Sequence, residues 1–251
     1  KAMIDKNTIK LIIAENQQFI SKVKLFKREY SFEKNLNYVL VGLRRAGKSY
    51  LLYERIQQLM KEGHSEEEFL YFNFEDDRLL NIQVSDLNTI LTSYQEMFDY
   101  KPFIFLDEIQ IIDGWEKFAR RLADQNYHVY ITGSNAKMLS SEIATTLGGR
   151  FQIKEVFPLS FREMLRSKGI DVDDKNFEYK NATSINKYLE EYFRFGGLPE
   201  VGNVQDKRSW LNGLYGKIFF GDLLTRYSIR NDKALKFVVQ KLAESIKQPI
   251  S

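Results

Sequence analysis

The chain has 251 residues, a net charge of +3 and a hydrophobic fraction of 43%. This length can bury a substantial core in one large or two modest domains, and the composition is that of a globular rather than a disordered protein. The absence of cysteine excludes disulfides and thiolate metal sites, and two histidines are too few for a histidine-rich metal centre. No apolar run approaches the ~18 residues of a membrane span and no signal peptide is recognisable, so we expect a cytoplasmic protein without membrane contact.

The N-terminal part of the chain alternates between helical and strand-like patterns. Apolar residues recur at helical spacing over residues 7–27, which predicts a helix. A short apolar run at 37–41 predicts the first strand, and a second helix follows to about Lys61, where Gly63 ends it.

A glycine-rich loop joins this strand to this helix. It reads Gly-Leu-Arg-Arg-Ala-Gly-Lys-Ser over residues 42–49, which is the pattern G-x-x-x-x-G-K-[ST] between a strand and a helix. Glycines let backbone amides turn inward toward phosphate oxygens, and the following helix N-terminus favours negative charge. Lys48 is predicted to reach the β- and γ-phosphates of a bound nucleotide, and the Ser49 hydroxyl to bind Mg²⁺. The alternative is a glycine-rich turn with an accidental lysine.

The predicted nucleotide contacts extend over this whole loop and one residue beyond it. They are Gly42, Arg44, Arg45, Ala46, Gly47, Lys48, Ser49 and Tyr50. Two arginines beside the phosphates are unusual, and they either stabilise bound nucleotide or point toward solvent or a partner.

Further strands and helices alternate along the chain after this loop. The predicted strands are residues 69–73, 103–106, 128–132 and 151–156. The predicted helices between them are residues 87–98, residues 115–124 and a helix that ends at Leu147. This alternation predicts an α/β fold whose parallel sheet has helices on both faces.

Two adjacent carboxylates follow the strand at 103–106. A strand that buries its apolar run and then reaches Asp107 and Glu108 delivers both to the carboxyl edge of the sheet, where open α/β sheets bind ligands. Asp107 is predicted to hold Mg²⁺, and Glu108 to polarise the water that attacks the γ-phosphate. The alternative is a carboxylate that caps the next helix.

Two further polar residues are candidates for roles in catalysis. Asn135 follows the fourth strand, where an amide can hydrogen-bond the γ-phosphate or orient water, although Asn also favours turns. Arg150 precedes the fifth strand and is a candidate arginine finger toward a neighbouring subunit. It could equally pair with a surface carboxylate or a helix C-terminus.

The character of the sequence changes at Pro158. A capping box at 160–163 begins a helix, and further helices are predicted at 184–195, about 207–227 and about 232–246. We therefore predict an α/β core over residues 1–157, with the N-terminal helix, and a smaller helical region over residues 158–251.

The chain resembles the prokaryotic predicted ATPases of the AAA+ superfamily in which a P-loop core precedes a C-terminal domain of unknown function. The resemblance covers residues 36–201 and rests on five blocks. They are the loop at 42–49, L-D-E-I-Q at 106–110 with Trp115-Glu116, T-G-S-N at 132–135 with L-G-G-R at 147–150, F-P-L-S-F-R-E at 157–163, and F-G-G-L-P-E-V at 195–201. The family loop usually has proline and glutamine where this chain has Leu43 and Arg45.

The resemblance implies a P-loop NTPase sheet with strand order 5-1-4-3-2, a helical lid after the core, and ATP as the nucleotide. It also implies a longer parent protein that continues past Ser251, with the helix near 234–246 as the first helix of a further module.

Two functional hypotheses from different classes follow from these patterns. The first is an Mg²⁺-dependent ATPase that couples nucleotide state to movement of the helical region. The second is a nucleotide-gated switch with little turnover that binds DNA or another protein, since residues 205–251 hold nine Lys/Arg against four Asp/Glu. A homo-oligomer is the assembly in which a finger at Arg150 would act. A P-loop phosphotransferase is a weaker third hypothesis, because the glutamate beside Asp107 suits activation of water.

Overall fold

The structure is a computed structural model that describes residues 4–134, 138, 141–225 and 229–245. It divides into two compact units, residues 1–199 and residues 200–251. The predicted division at residues 157 and 158 stays a prediction.

The described residues form a five-stranded sheet in which every neighbouring pair is parallel. The strands are β1 (Asn37–Gly42), β2 (Phe69–Asn73), β3 (Phe103–Asp107), β4 (His128–Gly133) and β5 (Phe151–Val156). Their order is β2-β3-β4-β1-β5, which is the predicted 5-1-4-3-2 order from the opposite edge. The predicted P-loop NTPase sheet is confirmed.

Helices follow the strands along the chain and continue after the sheet. The α-helices are α1 (Lys6–Lys22), α2 (Lys48–Lys61), α3 (Leu87–Gln95), α4 (Trp115–Asp124), α5 (Ser141–Leu147), α6 (Phe161–Ser167), α7 (Phe177–Lys180), α8 (Ala182–Phe195), α9 (Lys207–Gly216) and α10 (Asp232–Glu244). Short 3-10 helices lie at Glu66–Glu68, Asp77–Leu79, Val84–Asp86, Ile109–Ile111 and Pro199–Asn203, and a π-helix spans Lys217–Thr225.

Side chains alternate between the two faces of the sheet, and each face builds its own core. One face packs with α1, α3 and α4 through residues such as Ile12, Val39 and Leu106. The other packs with α2 through residues such as Leu52 and Phe105. Because both faces are covered, the strands read as nearly continuous apolar runs in the sequence.

The observed helices differ from the predicted ones at several ends. The first helix was expected to reach residue 27, but α1 ends at Lys22 because Val23 adopts an extended backbone. The helix predicted at about 207–227 is α9 followed by the π-helix, so its hydrogen bonding changes after Gly216. The pattern of apolar residues does not distinguish these cases, because it reports the buried face and not the backbone hydrogen bonds.

The part of the first unit that follows β5 is helical. Ser160 caps α6 in a capping box with Glu163, as its sequence predicts. A small apolar cluster of Leu165, Ile170 and Val172 stabilises this region. In the second unit, Lys236 of α10 lies over the rings of Phe219 and Phe220. Among the described residues, no helix is both long and apolar enough to cross a membrane.

Candidate nucleotide site

The loop between β1 and α2 has the backbone geometry that phosphate binding requires. Arg45 and Gly47 have φ of 65° and 91°, both in the left-handed region, and α2 begins directly after them at Lys48. A non-glycine residue in that region is uncommon and is held there by its surroundings. Left-handed residues in a turn direct successive amides to one side, which creates an anion-binding concavity at the N-terminus of α2.

Lys48 is buried and directed back across this loop. Its Nζ donates to the carbonyl oxygens of Gly42 and Leu43, each at 3.1 Å, and lies 3.4 Å from Oε1 of Glu108. Its side chain is only 3% exposed. The lysine of the first motif and the glutamate of the second therefore lie together, at the carboxyl edge of the sheet.

Asp107 is the second point at which the two motifs meet. Its carboxylate is fully buried and accepts hydrogen bonds from Tyr71 at 2.5 Å, from Thr132 and from Ser49. Burial raises the pKa of Asp107 above its usual value, and the three hydroxyl donors act against that rise. Ser49 and Asp107 thus place a hydroxyl and a carboxylate side by side.

Glu108 sits in a tight turn that directs its side chain toward the loop. Its φ of 55° is left-handed, and its N–H donates to Oγ1 of Thr132 at 2.9 Å. Gln110 donates through Nε2 to Oε2 of Glu108 at 2.5 Å and lies 3.4 Å from the Ser134 hydroxyl. The carboxylate of Glu108 is therefore held between Lys48 on one side and Gln110 on the other.

The remaining predicted loop residues lie around this centre. Arg44 pairs with Glu75, from the loop after β2, at 3.7 Å. Ala46 is buried, whereas Tyr50 is 55% exposed and contacts the ring of Tyr53 on the surface of α2.

The two further catalytic candidates are Asn135, predicted to contact the γ-phosphate or water, and Arg150, predicted as an arginine finger. Asn135 lies outside the described residues. Arg150 lies just before β5, at the amino edge of the sheet, and pairs with Asp124 at the end of α4. The structure does not bring Arg150 to the phosphate loop of its own chain, which is at the opposite edge.

Three residues of the site were not predicted from the sequence, namely Tyr71, Gln110 and Thr132. Tyr71 lies within an apolar strand, where it has the pattern of a core residue, and only strand alternation with Asn73 indicates its face. Gln110 and Thr132 lie within the quoted motifs. The motif spacing does not show that Gln110 hydrogen-bonds Glu108 or that Thr132 hydrogen-bonds Asp107.

The oxygen atoms of Ser49 and Asp107 are ligands that suit Mg²⁺. The ion prefers hard oxygen ligands and keeps several waters, so one hydroxyl and one carboxylate suffice when substrate phosphates complete the shell. Within the described ranges, no group of three or more His, Cys, Asp or Glu side chains is arranged to hold a metal. Any magnesium at Ser49 and Asp107 would therefore depend on the phosphates.

Comparison with known proteins places the chain in a family. A family model described as an AAA domain matches residues 34–165, slightly more than half of the chain. An uncharacterized protein of Methanocaldococcus jannaschii is 38% identical over 94% of this chain and 53% of its own length. An uncharacterized protein of Haemophilus influenzae is 32% identical over 85% of this chain and 52% of its own length. The chain thus spans about half the length of these curated relatives.

A solved structure also resembles the chain at a low level. It is a DNA polymerase III gamma subunit-related protein of Thermotoga maritima, 11% identical, with a TM-score of 0.39 over 76% of this chain and 60% of that one. That score is below the level at which a shared fold or function follows.

Proposed function

The chain belongs to the AAA domain family of nucleotide-binding, ATPase-like proteins, and we propose that it binds ATP with Mg²⁺ and hydrolyses it. We further propose that nucleotide state is coupled to movement of the helical region after β5. The observation that best supports ATP binding and hydrolysis is the contact between the two motifs. Lys48 Nζ lies 3.4 Å from Glu108, and Ser49 is hydrogen-bonded to Asp107.

The loop residues bind and orient the triphosphate. Backbone amides of residues 42–49 and the N-terminus of α2 face the phosphate oxygens. Lys48 exchanges the carbonyl oxygens of Gly42 and Leu43 for the β- and γ-phosphates, at little cost because it is already directed across the loop. Arg44 and Arg45 add positive charge to the loop beside the phosphates.

Ser49 and Asp107 would hold the magnesium ion together with the phosphates. Bound there, Mg²⁺ would neutralise charge on the phosphate oxygens. Tyr71 and Thr132 keep the carboxylate of Asp107 in one orientation.

Glu108 is the proposed base that orients the attacking water. Phosphates that draw Lys48 away release one oxygen of Glu108, and Gln110 still holds the other. The freed oxygen can then accept a proton from water near the γ-phosphate.

The substitution Glu108→Gln tests this assignment, since it keeps the size of the side chain and one accepting oxygen but removes its basicity. We expect ATP binding to persist and steady-state phosphate release to fall by at least about 100-fold, as loss of a general base implies. Glu190→Gln, at an exposed position on α8, is the matched control and should hydrolyse ATP like the wild type. Equal phosphate release from Glu108→Gln and wild type would remove Glu108 from this role.

A nucleotide-gated switch is the second candidate function, supported by the excess of basic residues over positions 205–251. It predicts nucleotide binding without measurable phosphate release in the wild type, and DNA binding that weakens steeply with salt. Binding that is absent or insensitive to salt would favour a protein partner instead.

A further inference from the structure

Arg28 is a buried charged residue to which the proposed chemistry gives no role. It lies in the irregular segment between α1 and β1, and its side chain is 5% exposed. Its ion-pair partner is Glu163 of α6, whose side chain is 4% exposed. A buried ion pair carries a large desolvation penalty, so its presence calls for a specific explanation.

The guanidinium of Arg28 makes three hydrogen bonds, each to a different part of the first unit. Nε donates to Glu163 Oε1 at 2.8 Å, and Nη2 donates to the carbonyl oxygen of Phe157 at 3.0 Å. Nη1 donates to the carbonyl oxygen of Ala46, inside the phosphate loop, at 3.1 Å. The packing there is close, since a Cβ added to Gly47 would lie 3.1 Å from the same Nη1. One rigid planar group therefore joins the loop, the end of the sheet and α6.

Glu163 is held in its charged form by its surroundings. Burial alone would raise its pKa, but hydrogen bonds from Arg28 and from the N–H groups of Glu29 and Ser160 outweigh burial and lower it. The carboxylate thereby fixes the first turn of α6 to the segment that carries Arg28.

The connection continues from α6 to α8. Leu159 donates through N–H to the carbonyl oxygen of Gly197 at 2.7 Å, and its own carbonyl accepts from the hydroxyl of Tyr192 at 2.9 Å. Gly197 has no room for a side chain, because an added Cβ would lie 2.1 Å from the Leu159 oxygen. The linker at 157–160 is thus bound to Arg28 on one side and to the end of α8 on the other.

We propose that Arg28 is a positioning residue that couples the phosphate loop to helices α6 and α8. This inference rests on the proposed function, because it needs ATP to bind the loop. Phosphates bound to the loop amides pull on the peptide group between Ala46 and Gly47, which shifts the Ala46 carbonyl, and Arg28 follows it. Phe157 and Glu163 share the same guanidinium, so α6 responds to the nucleotide, and the position of α6 in turn alters nucleotide affinity.

Hydrogen–deuterium exchange on the whole chain, with and without Mg·ATP, tests the coupling directly. In the wild type, ATP should slow exchange in peptides from the loop at 42–50 and in peptides covering 157–167. The variant Arg28→Lys keeps the charge but cannot make three planar hydrogen bonds. It should keep the loop response, lose the response at 157–167 and bind ATP about tenfold more weakly, as loss of one charge-assisted hydrogen bond to the loop implies.

Arg55→Lys is the matched control. Arg55 is also buried and hydrogen-bonded, but its contacts are Tyr130, Gln58 and Glu62, away from the phosphate loop. It should retain both responses. Glu163→Gln, which keeps the size of the side chain but only one of its two accepting oxygens, should lose the 157–167 response like Arg28→Lys, and it decides the matter if the lysine variant does not fold.

The outcomes separate this inference from the proposed function. Absence of any loop response in the wild type would overturn both. A loop response without a response at 157–167 in the wild type, an unchanged response in Arg28→Lys or Glu163→Gln, or an equal loss in Arg55→Lys would overturn the coupling and leave nucleotide binding intact.

Discussion

The hydroxyl of Tyr71 holds the carboxylate of Asp107. The proposed chemistry depends most on the orientation of that carboxylate. The side chain of Tyr71 is 2% exposed, and it donates to Asp107 at 2.5 Å while its oxygen lies 3.3 Å from the hydroxyl of Tyr53. Burial and the neighbouring carboxylate raise the pKa of Tyr71 well above its ordinary value, so it remains a donor at any physiological pH.

Removing this donor should weaken the proposed magnesium site without unfolding the strand. We expect Tyr71→Phe to raise the Mg²⁺ concentration needed for half-maximal ATP hydrolysis by about tenfold, the lower end of the effect of second-shell partners on metal affinity. The measurement is a Mg²⁺ titration of phosphate release at saturating ATP.

Tyr53→Phe is the control for this titration. Tyr53 contacts Tyr71 but has no hydrogen bond to Asp107, and burial raises its pKa to about 12. Its removal should leave the Mg²⁺ requirement unchanged. An equal shift in both variants, or no shift in Tyr71→Phe, would show that Tyr71 does not orient the metal ligand.

Single residues of the site could be predicted from the sequence only where a local motif contains them. Lys48, Ser49, Asp107 and Glu108 were assigned because each belongs to a local motif whose context of strand or helix is visible in the sequence. The distances confirm that they lie together, while their roles stay predictions. Tyr71 was not assigned, because a tyrosine in an apolar run has the pattern of a core residue until its neighbour across the sheet is known.

At the scale of elements, a buried ion pair joins α6 to the segment between α1 and β1. Glu163 of α6 accepts hydrogen bonds from Arg28 and from two backbone N–H groups, and its pKa is lowered in consequence. A carboxylate with a lowered folded-state pKa stabilises the fold above its unfolded pKa, and this contribution is lost as pH falls through the folded value.

The free energy of unfolding of wild type and of Glu163→Gln should therefore differ most near neutral pH. The difference should shrink as pH falls below the ordinary value of 4.5, toward the lowered folded pKa. Urea unfolding at a series of pH values, followed by tryptophan fluorescence in chains that carry Trp210→Phe so that only the buried Trp115 reports, measures it.

Glu54 of α2 provides a control of opposite sign. Burial raises its pKa, although it accepts from the N–H of Arg28 at 3.1 Å. Its charge therefore costs stability above the folded pKa, and that cost is relieved as pH falls toward 4.5. If Glu163→Gln followed the same pH trend as Glu54→Gln, the proposed charge on Glu163 would be contradicted.

The ion pair that fastens α6 was beyond sequence prediction for a physical reason. Arg28 and Glu163 are 135 residues apart and meet only when β5 lies beside β1. Glu163 was recognised only within two local patterns, a capping box and the block at 157–163 that resembles the family. Arg28 fell near the end of a predicted helix that the structure ends at Lys22.

At the scale of the whole molecule, Arg150 and the phosphate loop lie at opposite edges of one sheet. Strands β1 and β5 pair from Asn37 and Phe151 at the amino edge to Gly42 and Val156 at the carboxyl edge. Since Arg150 precedes β5, it is directed away from its own nucleotide site. We propose that it serves the site of a neighbouring copy of the chain.

This proposal predicts that ATP hydrolysis per molecule rises with protein concentration in the wild type. Arg150→Ala should abolish the rise, because an arginine finger supplies about 10³-fold or more in turnover. Asp124→Asn is the matched control, since it disrupts the same surface ion pair but leaves the arginine in place. Activity per molecule that stays constant with concentration, or an equal loss in both variants, would contradict a finger in trans.

The order of the five strands was predicted through the family resemblance, because strand order depends on crossovers that local patterns do not record. The alternation of strands and helices was visible directly, since buried parallel strands leave short apolar runs.

Binding of Mg·ATP, measured by isothermal titration calorimetry on wild type, Lys48→Ala and Lys34→Ala, tests the central claim most directly. Lys34 is a matched surface lysine whose side chain is 78% exposed, so its removal should leave the affinity unchanged. Lys48→Ala should reduce the affinity at least about 100-fold while the protein remains folded by circular dichroism, because it removes the charge that faces the phosphates. Equal affinity of Lys48→Ala and wild type would contradict a phosphate site at this loop.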